Sequence, residues 1–121
     1  MLEMNPAGRV TISMDDNGVA QVRLIRSDKM NALDPAMFAA LIDAGRALYD
    51  MQGLRAVVLA GEGRSFCAGL DMGSMADSGR HREHPLTERT HGNANMPQQV
   101  AMQWRKLPVP VIAAVHGVCF G

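Results

Sequence analysis

The chain carries no excess of charge. Twelve Lys and Arg are balanced by twelve Asp and Glu over its 121 residues, for a formal net charge of zero. Without a global field, neither nucleic acid nor an anionic membrane surface is an expected partner, and any anionic ligand must be held by local charges. Cysteine is scarce as well. Cys67 and Cys119 are the only two, which gives a weak disulfide signal; the simplest expectation is two reduced core thiols in a cytoplasmic protein. No apolar run approaches the roughly 20 residues of a spanning helix. The N-terminus lacks the basic, then apolar, then small-residue pattern of a secretory signal. Aromatic residues make up 4% of the chain, yet 47% is hydrophobic, ample for a core, and the ten methionines read most simply as adaptable filler. This length suits one small domain or part of a larger one.

Residues 1–8 read as a flexible N-terminus and 9–121 as the folded part. Val10, Ile12 and Met14 alternate with Thr11 and Ser13, a half-buried strand pattern. Asp16, Asn17 and Gly18 supply turn chemistry, and Ala20, Val22 and Leu24 form the return strand. Asp34 followed by Pro35 marks a helix start: a side-chain acceptor, then a proline whose missing N–H is of no consequence there. Met37, Leu41, Ala44, Leu48 and Met51 follow as one apolar stripe, with Gly53 placed to end the helix. A buried apolar strand is expected from Ala56 to Ala60, and one or two helical turns from Asp71 to about Ala76. Residues 77–95 are polar and read as a long mobile loop. Met96, Val100, Trp104 and Leu107 predict a second amphipathic helix ending before Pro108. Residues 109–115 form another apolar strand, with regular pairing only after Pro110, which has no N–H to donate. Two strand-then-helix units predict an α/β fold, with right-handed crossovers and helices covering a largely parallel sheet.

The chemistry lies at two junctions. The strand ending at Ala60 runs through Gly61-Glu-Gly-Arg-Ser-Phe-Cys-Ala-Gly-Leu-Asp71 into a tight turn. The strand 109–115 runs into His116-Gly-Val-Cys-Phe-Gly121. Two strand-to-glycine-loop junctions can each aim a backbone N–H at one developing negative charge, as an oxyanion hole requires. The residues alone also allow Gly69 to be a plain turn glycine and Leu70 a core side chain. Other chemistries fit worse. Gly61 and Gly63 suggest a dinucleotide fingerprint, but Phe66 stands where its third glycine belongs. Ser65 and Cys67 invite a nucleophile, but Gly63-Arg-Ser-Phe-Cys67 breaks the G-x-S-x-G elbow, and nothing places His116 as its base. His81, His84 and His91 share the polar loop with Arg80, Arg82, Glu83, Glu88 and Arg89. A solvated loop is the simpler reading there, and no metal is expected.

Three segments carry a family resemblance. Arg26-Ser-Asp-Lys-Met-Asn-Ala-Leu33, the Gly61 to Asp71 run, and Pro108-Val-Pro-Val-Ile-Ala-Ala-Val-His-Gly117 come in the order and spacing of the enoyl-CoA hydratase/isomerase (crotonase) family. The resemblance runs from about Val10 to Gly121. It implies the N-terminal half of a crotonase-like spiral of ββα units, because the family domain is considerably longer. It implies an acyl-CoA thioester as partner and, as activity, hydration of a 2-trans-enoyl-CoA. An enoyl-CoA double-bond isomerase or another family lyase or hydrolase is the alternative, and a non-catalytic acyl-CoA-binding homologue is an alternative of another class. Its oxyanion donors would be the N–H of Leu70 and that of Gly121 or the residue after it, with the acid/base glutamates beyond Gly121. Lys29, Met30, Ala68, Gly69, Leu70, Asp71 and Met72 would contact the substrate or its coenzyme A, with Arg26 or Lys29 pairing with phosphate. Met72 and Met75 are either core filler or acyl-pocket lining. No cofactor is implied beyond the coenzyme A of the substrate, and the assembly implied is a homotrimer or hexamer.

Overall fold

The computed structural model describes residues 8–73, 87–92 and 94–120, and the backbone alone of 2–4. Strands β1 (Leu2–Met4), β2 (Val10–Met14) and β3 (Val19–Leu24) lead through a 3-10 turn (Ser27–Lys29) into helix α1 (Pro35–Tyr49). Strand β4 (Ala56–Gly61), helix α2 (Met96–Lys106) and strand β5 (Val111–Ala113) follow. The five strands form one sheet in the order β1-β2-β3-β4-β5. The expectation of a largely parallel sheet needs correction. β1, β2 and β3 pair antiparallel, and only β3, β4 and β5 are parallel. The short turn between β2 and β3 permits no crossover, whereas the segments holding α1 and α2 are long enough for one. β1 is a second departure. The end read as flexible adds a strand, with Leu2 opposite Met14 and Met4 opposite Ile12.

The alternation in β2 and β3 becomes the core. Val10, Ile12, Ala20, Val22 and Leu24 pack in one buried cluster with Met37, Leu41, Ala44 and Leu48 of α1. Each such large side chain contributes about 1.5–3 kcal/mol by leaving water. Asp34 caps α1 as expected, accepting from the Met37 N–H at 2.8 Å. The helix stops at Tyr49, before the predicted end. Met51 donates to the Leu48 carbonyl at 3.2 Å and packs half-buried on the core, and Gly53 belongs to the turn beyond.

Helix α2 matches its predicted span, and Val100 and Trp104 pack against the core, but its buried residue is the polar Gln103. The Gln103 amide lies where a side chain on Gly45 would project, and it donates to the Leu41 carbonyl at 2.8 Å. A bonded amide can be buried without large penalty, and a glycine in mid-helix makes the room. Strand β4 is less buried than expected: only Val57 and Gly61 are fully so. Strand β5 is only three residues long. It pairs after Pro110, whose carbonyl accepts from Val57 N at 2.9 Å, and Ile112 is 59% exposed. The second half of the predicted short helix, and most of the segment read as a mobile loop, lie outside the described residues. Within the described part, His91 bonds to Ala94 through the backbone, and Asn95 caps α2 in a capping box with Gln98. Among the described residues no helix is long and apolar enough to cross a membrane.

Candidate active site

The site is assembled where the loop 26–34 folds onto the segment 61–71, and one side chain does most of the joining. Asn31 is fully buried and left-handed (φ 59°), a conformation asparagine tolerates better than most residues. Its Oδ1 accepts from Arg26 N at 2.8 Å, and its Nδ2 donates to the carbonyls of Glu62 (3.0 Å), Ser65 (3.0 Å) and Phe66 (3.2 Å). The backbones then run together. Ala68 N donates to Met30 O (3.0 Å), Leu33 N to Gly69 O (2.7 Å), and Asp71 N to Leu33 O (3.0 Å). Leu33 and Leu70 thus form a parallel bridge.

The second junction closes on the first. Phe66 N donates to His116 O (2.9 Å), Cys67 N to Val118 O (3.3 Å), and Phe120 N to Cys67 O (3.0 Å). Two glycines allow this approach. Gly117 has φ +60°, and a Cβ there would fall on the Arg64 carbonyl oxygen. Gly69 has φ +84°, and a Cβ there would sit 3.3 Å from the Phe120 carbonyl group. From Phe66 to Asp71, every backbone N–H but one is engaged; that of Gly69 points to the Cys67 sulfur at 3.4 Å. Among the described residues, the Leu70 N–H has no hydrogen-bond acceptor. Around it, Leu70 is 51%, Met72 76% and Phe120 81% exposed.

A charge network lies beneath the turn. Arg26 Nη1 donates to Asp71 Oδ2 (2.8 Å) and to Ala32 O (3.1 Å), and lies 3.4 Å from Asp34 Oδ2. Arg9 holds the same Asp34 carboxylate at 2.9 Å.

The sequence profile of the enoyl-CoA hydratase/isomerase family matches residues 14–121. The chain belongs to that family. It is 37% identical over 105 residues to "Probable enoyl-CoA hydratase" of Rhodobacter capsulatus, covering 86% of this chain and 37% of that protein. It is 28% identical over 116 residues to the mitochondrial Delta(3,5)-Delta(2,4)-dienoyl-CoA isomerase of Mus musculus, covering 93% of this chain and 36% of that one. The crystal structure of an enoyl-CoA hydratase from Shewanella pealeana superposes with a TM-score of 0.80 at 27% identity, over 93% of this chain and 41% of the other. The fold is crotonase-like, and the chain spans about two fifths of the length of these relatives.

Several residues singled out in this crotonase-family sequence lie together. Ala68 and Asp71 are half-buried, Gly69 is buried, and Leu70 and Met72 are exposed. Leu70 is therefore no core side chain. Lys29 is exposed at the end of its 3-10 turn, and Met30 is half-buried beside it with φ 52°. Gly121 lies outside the described residues, as do Met75, His81 and His84. Arg26 is spent on two carboxylates and a carbonyl, with a side chain only 13% exposed, so Lys29 is the better placed of the two for a phosphate. Cys67 is buried as expected, but Cys119 is exposed, and both are free. Burial pushes the Cys67 thiol up, the wrong direction for a nucleophile. Ser65 Oγ accepts from Val118 N (3.3 Å), and His116 Nε2 bonds to Gly63 O (2.9 Å). An open groove of about 430 Å³ between α1 and α2, lined by Gly45, Tyr49 and Gln103 among others, includes none of these site residues. Asn31 was not singled out from the sequence. Its only local signal was an asparagine in a loop just before a helix cap.

Asp34 gives the network a pH signature. Burial pushes its carboxyl up, but the Arg9 hydrogen bond, the Met37 N–H and the Arg26 charge outweigh this and hold it below the ordinary value of 3.8. A depressed folded pKa contributes stability that is complete above the unfolded value and lost as pH falls through the folded one. Asp34→Asn keeps an acceptor for the cap but removes the charge. It should be about 1 kcal/mol less stable than wild type near neutrality, and the gap should close in strong acid. Urea melts of both proteins across the acid range check this; a gap independent of pH would contradict it.

Proposed function

We propose that this chain supplies one half of a thioester oxyanion site, and that the whole protein hydrates a 2-trans-enoyl-CoA to the 3-hydroxyacyl-CoA. The observation that carries the reading is the Leu70 N–H, which has no acceptor among the described residues in a turn whose neighbouring donors are all engaged. When water adds at C3, negative charge develops on the thioester oxygen. An unpaired N–H held by a fixed backbone stabilises that charge without reorganising. The second donor would be Gly121 or the residue after it, next to Phe120, which already packs on Gly69. Carboxylates from beyond Gly121 would position the water and deliver the proton to C2. The step needs no cofactor beyond the coenzyme A of the substrate. In the same reading Met30, Ala68 and Asp71 border the coenzyme A, and the exposed Met72 borders the acyl chain.

A second reading is a double-bond isomerase, favoured by the similarity to the mouse dienoyl-CoA isomerase. The same hole would stabilise a dienolate, with carboxylates placed to move a proton along the chain. Function lies in the site and not the fold. Assaying the full-length protein with crotonyl-CoA and with a 3-enoyl-CoA, with acyl-CoA binding measured alongside, separates the two. Binding without either turnover would make the protein a non-catalytic acyl-CoA-binding homologue. A cytoplasmic homotrimer or hexamer is part of the proposal; cell fractionation and sedimentation of the full-length protein test it.

Lys29 should serve the coenzyme A phosphates. It stands on a loop fixed by Asn31, so binding there orders little. Lys29→Ala should weaken acyl-CoA binding at low salt by roughly 3- to 10-fold, with kcat unchanged. A larger loss on changing Arg80, Arg82 and Arg89 together to Ala would reverse this ranking.

A further inference from the structure

We propose that Arg26 is a positioning residue for this reaction: it fixes the direction of the Leu70 N–H by tying Asp71 to the start of α1. The inference rests on the oxyanion reading above and adds a part to it. The Leu70 N–H lies in the same peptide plane as the Gly69 carbonyl, and in a trans peptide the two point opposite ways. The Gly69 carbonyl is held by Leu33 N at 2.7 Å, and on the other side Asp71 N is held by Leu33 O at 3.0 Å. The bridge from Leu33 to Leu70 therefore sets where the donor points. Arg26 holds both sides of that bridge. One guanidinium nitrogen reaches Ala32 O at 3.1 Å and Asp34 at 3.4 Å on one side of the bridge, and Asp71 Oδ2 at 2.8 Å on the other. Asp71 in turn accepts from Gly73 N at 2.9 Å through its other oxygen, so the same carboxylate shapes the helix start after the donor.

The electrostatics make the clamp specific. The side chains of Arg26, Asp34 and Asp71 are 13%, 11% and 18% exposed, so water screens them little. Without Arg26, two shielded carboxylates would face each other across the bridge. Arg9 would still neutralise Asp34, but Asp71 would lose its 2.8 Å contact with the Arg26 guanidinium. The Leu33–Leu70 pairing would lose the tie across it and loosen, letting the peptide that carries the donor rotate. The hydrophobic core contains neither Arg26 nor Asp71, so the loss falls on the turn more than on the fold. Lysine keeps the positive charge, but its ammonium sits on a different stem and does not reproduce the Nη1 position from which all three contacts are made.

The test uses the full-length protein as wild type, Arg26→Ala, Arg26→Lys, Asp71→Ala and the Arg26→Ala/Asp71→Ala double variant. Turnover of crotonyl-CoA gives kcat and KM. The infrared shift of the thioester carbonyl of bound butyryl-CoA, which has no double bond to hydrate, reads hydrogen bonding in the hole directly. Arg26→Ala should lower kcat roughly 10- to 100-fold, with KM within about 3-fold, and should shrink the carbonyl shift. Arg26→Lys should recover part of both. The double variant should lose no more than the worse single one, because the contact the two residues share is the one proposed to hold the bridge. A folded Arg26→Ala protein with wild-type carbonyl shift, or independent, multiplying losses in the double variant, would overturn the positioning role alone. A wild type with no carbonyl shift and no turnover would overturn the oxyanion reading itself, and the positioning role with it.

Discussion

If the proposed oxyanion role holds, replacing Leu70 with proline should lower kcat/KM of the full-length protein by about 100- to 1000-fold, equivalent to roughly 2.7–4 kcal/mol of transition-state stabilisation. Proline removes the one N–H of the turn that bonds to nothing among the described residues, so no hydrogen bond of the described fold is lost with it. The bridge to Leu33 uses the Gly69 carbonyl and the Asp71 N–H, and both remain. Leu70→Ala is the matching control. The side chain is 51% exposed, so its truncation should leave most activity and stability in place. Wild-type turnover by a proline variant whose circular dichroism and melting show it folded would remove Leu70 from the hole.

The second large effect concerns stability. Asn31→Asp should destabilise more than Asn31→Ala, although aspartate is the closer shape. Asn31 Nδ2 faces three carbonyl oxygens, those of Glu62, Ser65 and Phe66. A carboxylate there would present a buried negative charge to three acceptors, and would have to take up a proton to stay. Alanine leaves those carbonyls and the Arg26 N–H short of a partner and places an unsuited residue at φ 59°. It should cost about 3–5 kcal/mol, from unmet buried groups at roughly 1–3 kcal/mol each and backbone strain. For Asp the loss should exceed this at neutral pH and shrink as the solution is acidified. Denaturant melts at two pH values decide it, and an aspartate variant as stable as the alanine one near neutrality would refute the account.

What the sequence made legible is what depends on near neighbours. The Asp34–Pro35 cap, the alternation that buried Val10, Ile12, Val22 and Leu24, and the pairing delayed until after Pro110 are local matters, and the structure has them. The elements that escaped depend on partners far along the chain. Asn31 acts on residues 31 to 35 positions away, Arg26 on one 45 away, and Gln103 on one 62 away. No period or motif announces a side chain whose role is set by a carbonyl on another loop. The burial of Gln103 was hidden for the same reason, since its space is made by a glycine on a different helix. The two junctions were legible as strand-to-glycine turns. That one N–H between Phe66 and Asp71 finds no acceptor among the described residues became visible only in three dimensions.

The contact between Gly69 and the Phe120 backbone has a bearing on how such a site can diversify. Main-chain atoms set the spacing of the two junctions, and genetic change alters them least. The side chains around the opening, those of Leu70, Met72 and Phe120, project outward and hold none of the hydrogen bonds described for that spacing. Substitutions there that keep the backbone N–H can therefore vary the opening while the main-chain frame stays as it is. In the proposed reading, the acyl group accepted can then be altered through these side chains without disturbing the backbone that stabilises charge.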